Sequence, residues 1–324
     1  MRKRFFLAAL AAILGTAVAV AQQIAVVSES GSSDLYQTLA EAIEGADPGS
    51  TIYLPGGRFA ISDDVRITKK LTIIGIGHYL NNEENEDGRT FIDGHLSFDE
   101  GSSGSSVMGC YLEKSINIGT NLGNTYNSTV NDFTLRYCNV WDICVSSSSV
   151  GTTIDQNYIR AIIYFNTCTS GVVSNNILRR ILKMNGGTVC NNVFTNIGTD
   201  YPQLETSNTI IYDNVFVKWR GITGSGYSFY HNLFINNSSG DDYLNLANVN
   251  SADVFIKDDG VMSTSNYHFQ DAYKQYESQY GIYSGSGFSD KQLAPVPYIV
   301  DKQVASETDA SGKLNIKIRV KASE

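Results

Sequence analysis

The chain is short of proline, cysteine, histidine and positive charge, and each shortage narrows what the protein can be. Five prolines against 29 glycines in 324 residues fit many tight bends in a folded chain rather than a disordered tail. Twenty-four Lys and Arg against 33 Asp and Glu leave a net charge of −9, which argues against nucleic acid or an anionic membrane as the main partner. The five cysteines, Cys110, Cys138, Cys144, Cys168 and Cys190, show no C-x-x-C or zinc-ligand spacing, and an odd number cannot pair completely. They read as buried small hydrophobes, or as one disulfide such as Cys138 to Cys144 with the rest free. His78, His95, His231 and His268 have no mutual spacing that suggests a metal site or a triad, and His231 reads as a turn residue.

Long apolar runs are also scarce. The single one, Phe5 to Val20, follows Arg2, Lys3 and Arg4 and ends at the small-x-small sequence Ala19-Val20-Ala21. It is too short for a comfortable membrane span and has the three parts of a secretory signal peptide over residues 1–21. The expectation is an exported, soluble monomer, located in the periplasm, at the cell surface or outside the cell. With no cysteine before Cys110, a lipid anchor at the cleavage site is not expected.

What is present is a repeat. Asparagine followed by two apolar residues recurs at Asn139, Asn157, Asn176, Asn192, Asn214 and Asn232, with separations of 18, 19, 16, 22 and 18 residues. Near-constant self-similarity of this length marks a solenoid. Asparagine tolerates the left-handed helical region and bonds to nearby backbone, so each one is expected to turn a corner between two extended segments. Stacked corners place the amides in a ladder at the roughly 4.8 Å spacing of adjacent strands. Three residues before the asparagines lie Ile154, Val173, Val189, Ile211 and Phe229; two residues after them lie Trp141, Ile159, Leu178, Phe194, Phe216 and Phe234. These form two expected inward columns. The first coil departs, since Arg136 takes the apolar position beside Leu135, and a bulge is expected there. The fold class is therefore all-β, a right-handed parallel β-helix. The leucine framework of leucine-rich repeats is absent, and helical repeats need longer periods.

A solenoid must cover its open ends. At the N-terminal side Asp34 and Gln37 resemble a capping box, Leu35, Leu39 and Ile43 share one helical face, and Gly45 ends the segment. At the other side Phe269, Tyr273, Tyr276 and Tyr280 make a helical stripe ending at Gly281, expected to be a second cap; the alternative is an aromatic platform for sugars. After Pro295 and Pro297, Leu314, Ile316, Ile318 and Val320 alternate with polar residues, the pattern of a half-buried strand. The expected organisation is residues 1–21 as signal peptide, 22–294 as β-helix with caps, and 295–324 as an edge strand on the solenoid.

Residues 34–43 (DLYQTLAEAI), 46–57 (ADPGSTIYLPGG) and 71–77 (LTIIGIG), followed by the asparagine coils, resemble the N-terminal cap and first coils of the pectate-lyase-like β-helix superfamily. The resemblance covers about residues 34 to 250 and implies the fold, not one activity, because the superfamily holds lyases, hydrolases, esterases, adhesins and tailspikes. The hydrolases of this group carry an Asn-Thr-Asp segment, an Asp-Asp pair, Gly-His-Gly and Arg-x-Lys; this chain offers only Gly240-Asp241-Asp242. The lyases use an Arg or Lys base with a cation, often Ca²⁺, to neutralise a substrate carboxylate. That comparison directs attention to Arg160, Arg179, Arg180, Lys183, Lys218 and Arg220, which follow their asparagines by three to seven residues and are expected to project in part as a vertical basic strip. The long coil between Asn192 and Asn214 adds a loop at 198–205 in which Tyr201 and Glu205 are candidate wall residues. The bland reading is that these bases only solvate an exposed face. The acidic runs at Glu83, Glu84, Glu86, Asp87 and at Asp258, Asp259 are the places where Ca²⁺ would bind, though such runs usually only solvate loops.

The leading expectation is polysaccharide binding along a strand face, with no assignable reaction and no assignable cofactor. The alternatives are a uronate lyase acting by β-elimination, with Ca²⁺, and a surface adhesin or structural protein.

Overall fold

A computed structural model describes residues 23–321 apart from 64, 79–87, 169, 196–197, 199–200, 237–243, 259–264, 286, 291–297 and 309–312. The expected signal peptide, the Gly240-Asp241-Asp242 segment, the run at Glu83–Asp87, Asp259, and Pro295 and Pro297 lie outside the described residues. Three long sheets of short strands hold most of the chain, with 11, 10 and 8 strands, here called A, B and C. One coil shows the path: Arg180–Asn185 lies in C, Thr188–Cys190 in A and Val193–Phe194 in B, and Leu204–Ser207 then returns to C beside Arg180–Asn185. This is the right-handed parallel β-helix expected from the spacing.

The core forms because successive coils stack in register. Ile154, Val173, Val189, Ile211 and Phe229 pair one above another in sheet A. Leu178, Phe194, Phe216 and Phe234 do the same in sheet B. All but Phe229 are buried, and Phe229 packs on the core from its edge. Burying each such side chain contributes about 1.5–3 kcal/mol. Trp141 does not join this column; it is 48 % exposed, and Val140 points inward instead.

That exchange exposes a one-residue frame shift. Asn139 pairs with Tyr158, not with Asn157, so it is not a ladder member. Cys138 takes the ladder position, its backbone N–H donating to Asn157 Oδ1 at 2.9 Å. Counted from Cys138, the residue three places back is Leu135, which pairs directly with Ile154. The first coil therefore has regular register at Thr134–Arg136, and the expected bulge is absent. Asn157, Asn176, Asn192, Asn214 and Asn232 do stack, all fully buried. Each amide of Asn157, Asn176, Asn192 and Asn214 donates to the next asparagine's Oδ1 at 2.9–3.0 Å, and the same Oδ1 accepts the backbone N–H below it. The left-handed corner falls one residue earlier than expected, at Gln156 (φ 57°), Asn175 (53°), Asn191 (56°), Asp213 (57°) and His231 (49°). The corner residue bends the chain, and the ladder asparagine ties the bend to its neighbours.

The ends and the outer surface also differ from expectation. Residues Ser33–Tyr36 form a strand in sheet A, and the capping helix is Leu39–Gly45. Its capping box is Thr38 with Glu41, and it buries Leu39, Ala42 and Ile43 while Leu35 is exposed. A competing strand pairing to Ile24–Val27 takes the residues around Asp34 away from the helix. The aromatic stripe is not a helical end cap. Phe269 closes the strand Asn266–Phe269, and Asp271–Tyr276 is a 3₁₀ turn.

Described residues of the stretches 254–258, 265–285 and 287–289 instead lie along the outside of sheet B, here called the strap. Val254, Phe255, Tyr267, Phe269, Tyr280, Ile282 and Phe288 pack there in a second apolar cluster with Tyr158, Ile177, Val193, Val215 and Leu233. Gly281 N–H donates to Asp213 O, Asn191 Nδ2 to Ser284 Oγ, and Ser289 N–H to Gln156 Oε1, so the strap follows the corner column across several coils. The C-terminal alternation does mark a strand, Leu314–Lys321, but it pairs antiparallel with Tyr298–Thr308 in a two-stranded sheet of its own instead of extending a solenoid sheet as an edge strand. The side chains of both strands lie outside the described residues. All five cysteines are buried and free, so the Cys138–Cys144 disulfide is not formed.

Candidate functional site

The outer face of sheet C carries a column that the strap does not cover. Strand alternation turns Ile143, Ile163, Ile181 and Leu204 inward and leaves Tyr164, Leu182 and Glu205 outside, and a bulge adds Lys183 to the exposed residues of this face. Lys183 stands out within it. The pairing of Arg180–Asn185 with Leu204–Ser207 shifts register between Ile181 and Met184, and Lys183 is the extra residue of that bulge, with φ at 54°. Side chains other than glycine and asparagine seldom adopt this conformation, and bulges re-aim a side chain. Here Lys183 Nζ lies 5.3 Å from the centroid of the Tyr164 ring. The Tyr164 phenol beside it holds the Lys183 ammonium above its ordinary pKa. Lys183 and Glu205 line an open cleft of about 470 Å³ together with Thr167, Asn185, Thr206 and Thr223.

The other candidates distribute around this cleft unequally. Arg180 begins the same strand as Lys183; its Nε donates to Pro202 O at 3.0 Å, and its guanidinium stands 5.4 Å from the Tyr201 ring. Tyr201 is 66 % exposed, so this part of the loop does project beside the basic residues. Lys218 is exposed, and Arg179 and Arg220 are half-buried. Arg160 faces elsewhere. It donates to Tyr111 Oη at 2.6 Å and to Leu112 O, and lies over the Tyr111 and Trp141 rings at 4.5 and 5.2 Å. Arg160 thus contacts a different set of side chains from Arg180 and Lys183.

No protein family, curated protein or solved structure matches the chain. Among the described residues no three His, Cys, Asp or Glu side chains converge as a metal site, and no helix is long and apolar enough to cross a membrane.

A second cleft, of about 290 Å³, lies on the same sheet nearer the N-terminus and was not legible in the sequence. Arg66, Ser97 and Asn117 form its floor; Arg66 pairs with Ser97, and Asn117 with Ser97, in adjacent strands. Asp63, His95, Leu122 and Tyr126 form its walls. Outward positions of a strand are normally solvated, yet Ser97 and Asn117 are 3 % and 6 % exposed, because residues 119–131 fold back over them. The signal in the sequence was faint: Ser97 lies between Leu96 and Phe98, and Asn117 between Ile116 and Ile118, polar residues at the same phase of successive coils.

Proposed function

We propose that the protein binds an acidic polysaccharide laid along the outer face of sheet C, as an exported member of the pectate-lyase-like β-helix group. The observation that carries this reading is Lys183, held in a left-handed bulge so that its ammonium stands over Tyr164 and beside Glu205 in an open cleft. An ammonium at that place meets a uronate carboxylate, and the tyrosine ring offers a flat face to a sugar. Arg180 and the exposed Tyr201 extend the same surface along the strand and loop.

Affinity electrophoresis through gels containing polygalacturonate or alginate tests the proposal. Retardation that salt weakens and Lys183→Ala removes supports it. Unchanged mobility of the wild-type chain in both gels would sink it. Growth of the ultraviolet absorbance of an unsaturated uronate during incubation would replace it with the lyase reading.

A further inference from the structure

We propose that the cleft between Arg66, His95, Asn117 and Tyr126 is a second binding site, specific for one neutral sugar residue. Its strands lie three to five places along the sheet from that of Lys183, about 14 Å or more at the ~4.8 Å spacing of adjacent strands, and it does not depend on the acidic polysaccharide being bound there.

The cleft is built, not incidental. The segment 119–131 that roofs it is fastened at several points: Thr120 Oγ1 donates to Tyr126 O at 2.6 Å, Ser146 Oγ to Asn127 Oδ1 at 2.5 Å, and Asn166 Nδ2 to Asn124 Oδ1 at 2.8 Å. Ser128 Oγ donates to Asp99 Oδ1 as well. The Tyr126 ring lies on the Arg66 guanidinium at 3.9 Å, which fixes both side chains.

The hydrogen-bonding groups inside are unspent. Asn117 Nδ2 donates to Ser97 Oγ at 3.1 Å, while Asn117 Oδ1 bonds to no other group among the described residues. His95 Nδ1 accepts from Ser115 N–H at 3.3 Å, which puts the ring proton on Nε2, at the atom left to donate. An acceptor and a fixed donor that face the same small cleft are open to a ligand carrying both functions, which satisfies them together.

Charge selects the class. Arg66 faces Asp99 at 3.8 Å and Lys114 faces Asp63 at 3.5 Å, so both signs at the rim are already matched within the protein. A charged ligand gains little, whereas sugar hydroxyls, each donor and acceptor at once, pair with Asn117 Oδ1 and His95 Nε2–H. Leu122 and the Tyr126 ring supply the apolar wall that a pyranose face needs. The volume, at the lower end for ligand sites, suits one residue and not a long chain.

Saturation-transfer NMR with the methyl glycosides of glucose, galactose, mannose, fucose and xylose, and with glucuronate as the charged counterpart, tests the proposal. At least one neutral glycoside should bind, with affinity falling about tenfold or more in Asn117→Ala and His95→Ala. Leu122→Ala, on the exposed wall, gives the same readout should either of those variants fail to fold. Lys183→Ala should leave this signal intact while abolishing retardation by polygalacturonate, so the two sites fail separately. The proposal is overturned if no neutral glycoside binds, if glucuronate binds as well as any of them, or if all three folded cleft variants bind like the wild type.

Discussion

Cys138 occupies the rung directly below Asn157, with its N–H on Asn157 Oδ1 at 2.9 Å and its thiol donating to Arg136 O at 3.2 Å. Asn157 Nδ2 makes the same bond two residues back, to Asp155 O at 2.9 Å. Cys110 repeats the pattern one coil lower, donating to Met108 O at 3.3 Å. A thiol thus copies half of what the amide does: it closes the corner, and gives up the strong Oδ1 acceptor for the coil beneath.

This predicts a graded cost in the ladder. Asn192→Leu leaves the Asn176 N–H and amide without their acceptor and should destabilise the protein by about 1–3 kcal/mol. Asn192→Cys keeps a donor to Cys190 O and should lose less. Thermal unfolding of the two variants beside the wild type checks the order; equal melting temperatures would remove the ladder from the account of stability.

The buried thiols predict a one-sided response to pH. Burial pushes Cys144 up to about 12 and Cys168 up to about 11. In the unfolded chain these groups ionise near their ordinary value of 9.0, so above that pH the unfolded state releases protons that the folded state keeps. Stability from this source is complete below about pH 9 and declines as pH rises toward 12. The melting temperature should fall across that window, and the native protein at pH 8 should resist a thiol-specific alkylating reagent that labels all five cysteines after denaturation.

The strap predicts a local failure. Val215 is fully buried in the cluster that holds Tyr267, Phe269, Tyr280 and Ile282, with Gly281 packed on it and on Val193. Val215→Asp buries an unpaired carboxylate between strap and sheet, at a cost of several kcal/mol. Limited proteolysis should cut within 265–285 in this variant well before the coils, whereas the wild type should resist at the same sites.

Lys183 predicts a trade between stability and binding. A lysine at φ 54° is strained where glycine is not, so Lys183→Gly should raise stability or leave it unchanged, by at most about 1 kcal/mol. The same change removes the ammonium from the cleft and should abolish retardation by acidic polysaccharide. A variant less stable than wild type would show that Lys183 is held for packing, not for contact.

Much of the fold was written in the repeat. The spacing from Asn157 to Asn232, the apolar residues three before and the second apolar residue after each asparagine fixed the coil length, the ladder and two inward columns, because a strand buries alternate side chains. The error at Asn139 has a simple origin, since a cysteine at the rung looks like core, and the neighbouring asparagine takes its place by eye. The first apolar residue after each asparagine, Tyr158, Ile177, Val193, Val215 and Leu233, pointed outward and carried an unread message. A strand apolar on both faces must be covered on both. What covers it comes from Val254, Phe255, Tyr267, Phe269, Tyr280, Ile282 and Phe288, far along the chain, and only packing could say so.

The sequence by itself determined the solenoid, since one short pattern repeated at near-constant spacing can bury its apolar residues only by stacking. Tertiary structure decided the rest. It chose which neighbour of each corner carries the left-handed turn, laid the aromatic stripe along a side instead of an end, parted Arg160 from Lys183, and closed residues 119–131 over Ser97 and Asn117. Those outcomes depend on contacts between coils and distant segments, whose energies no local pattern records.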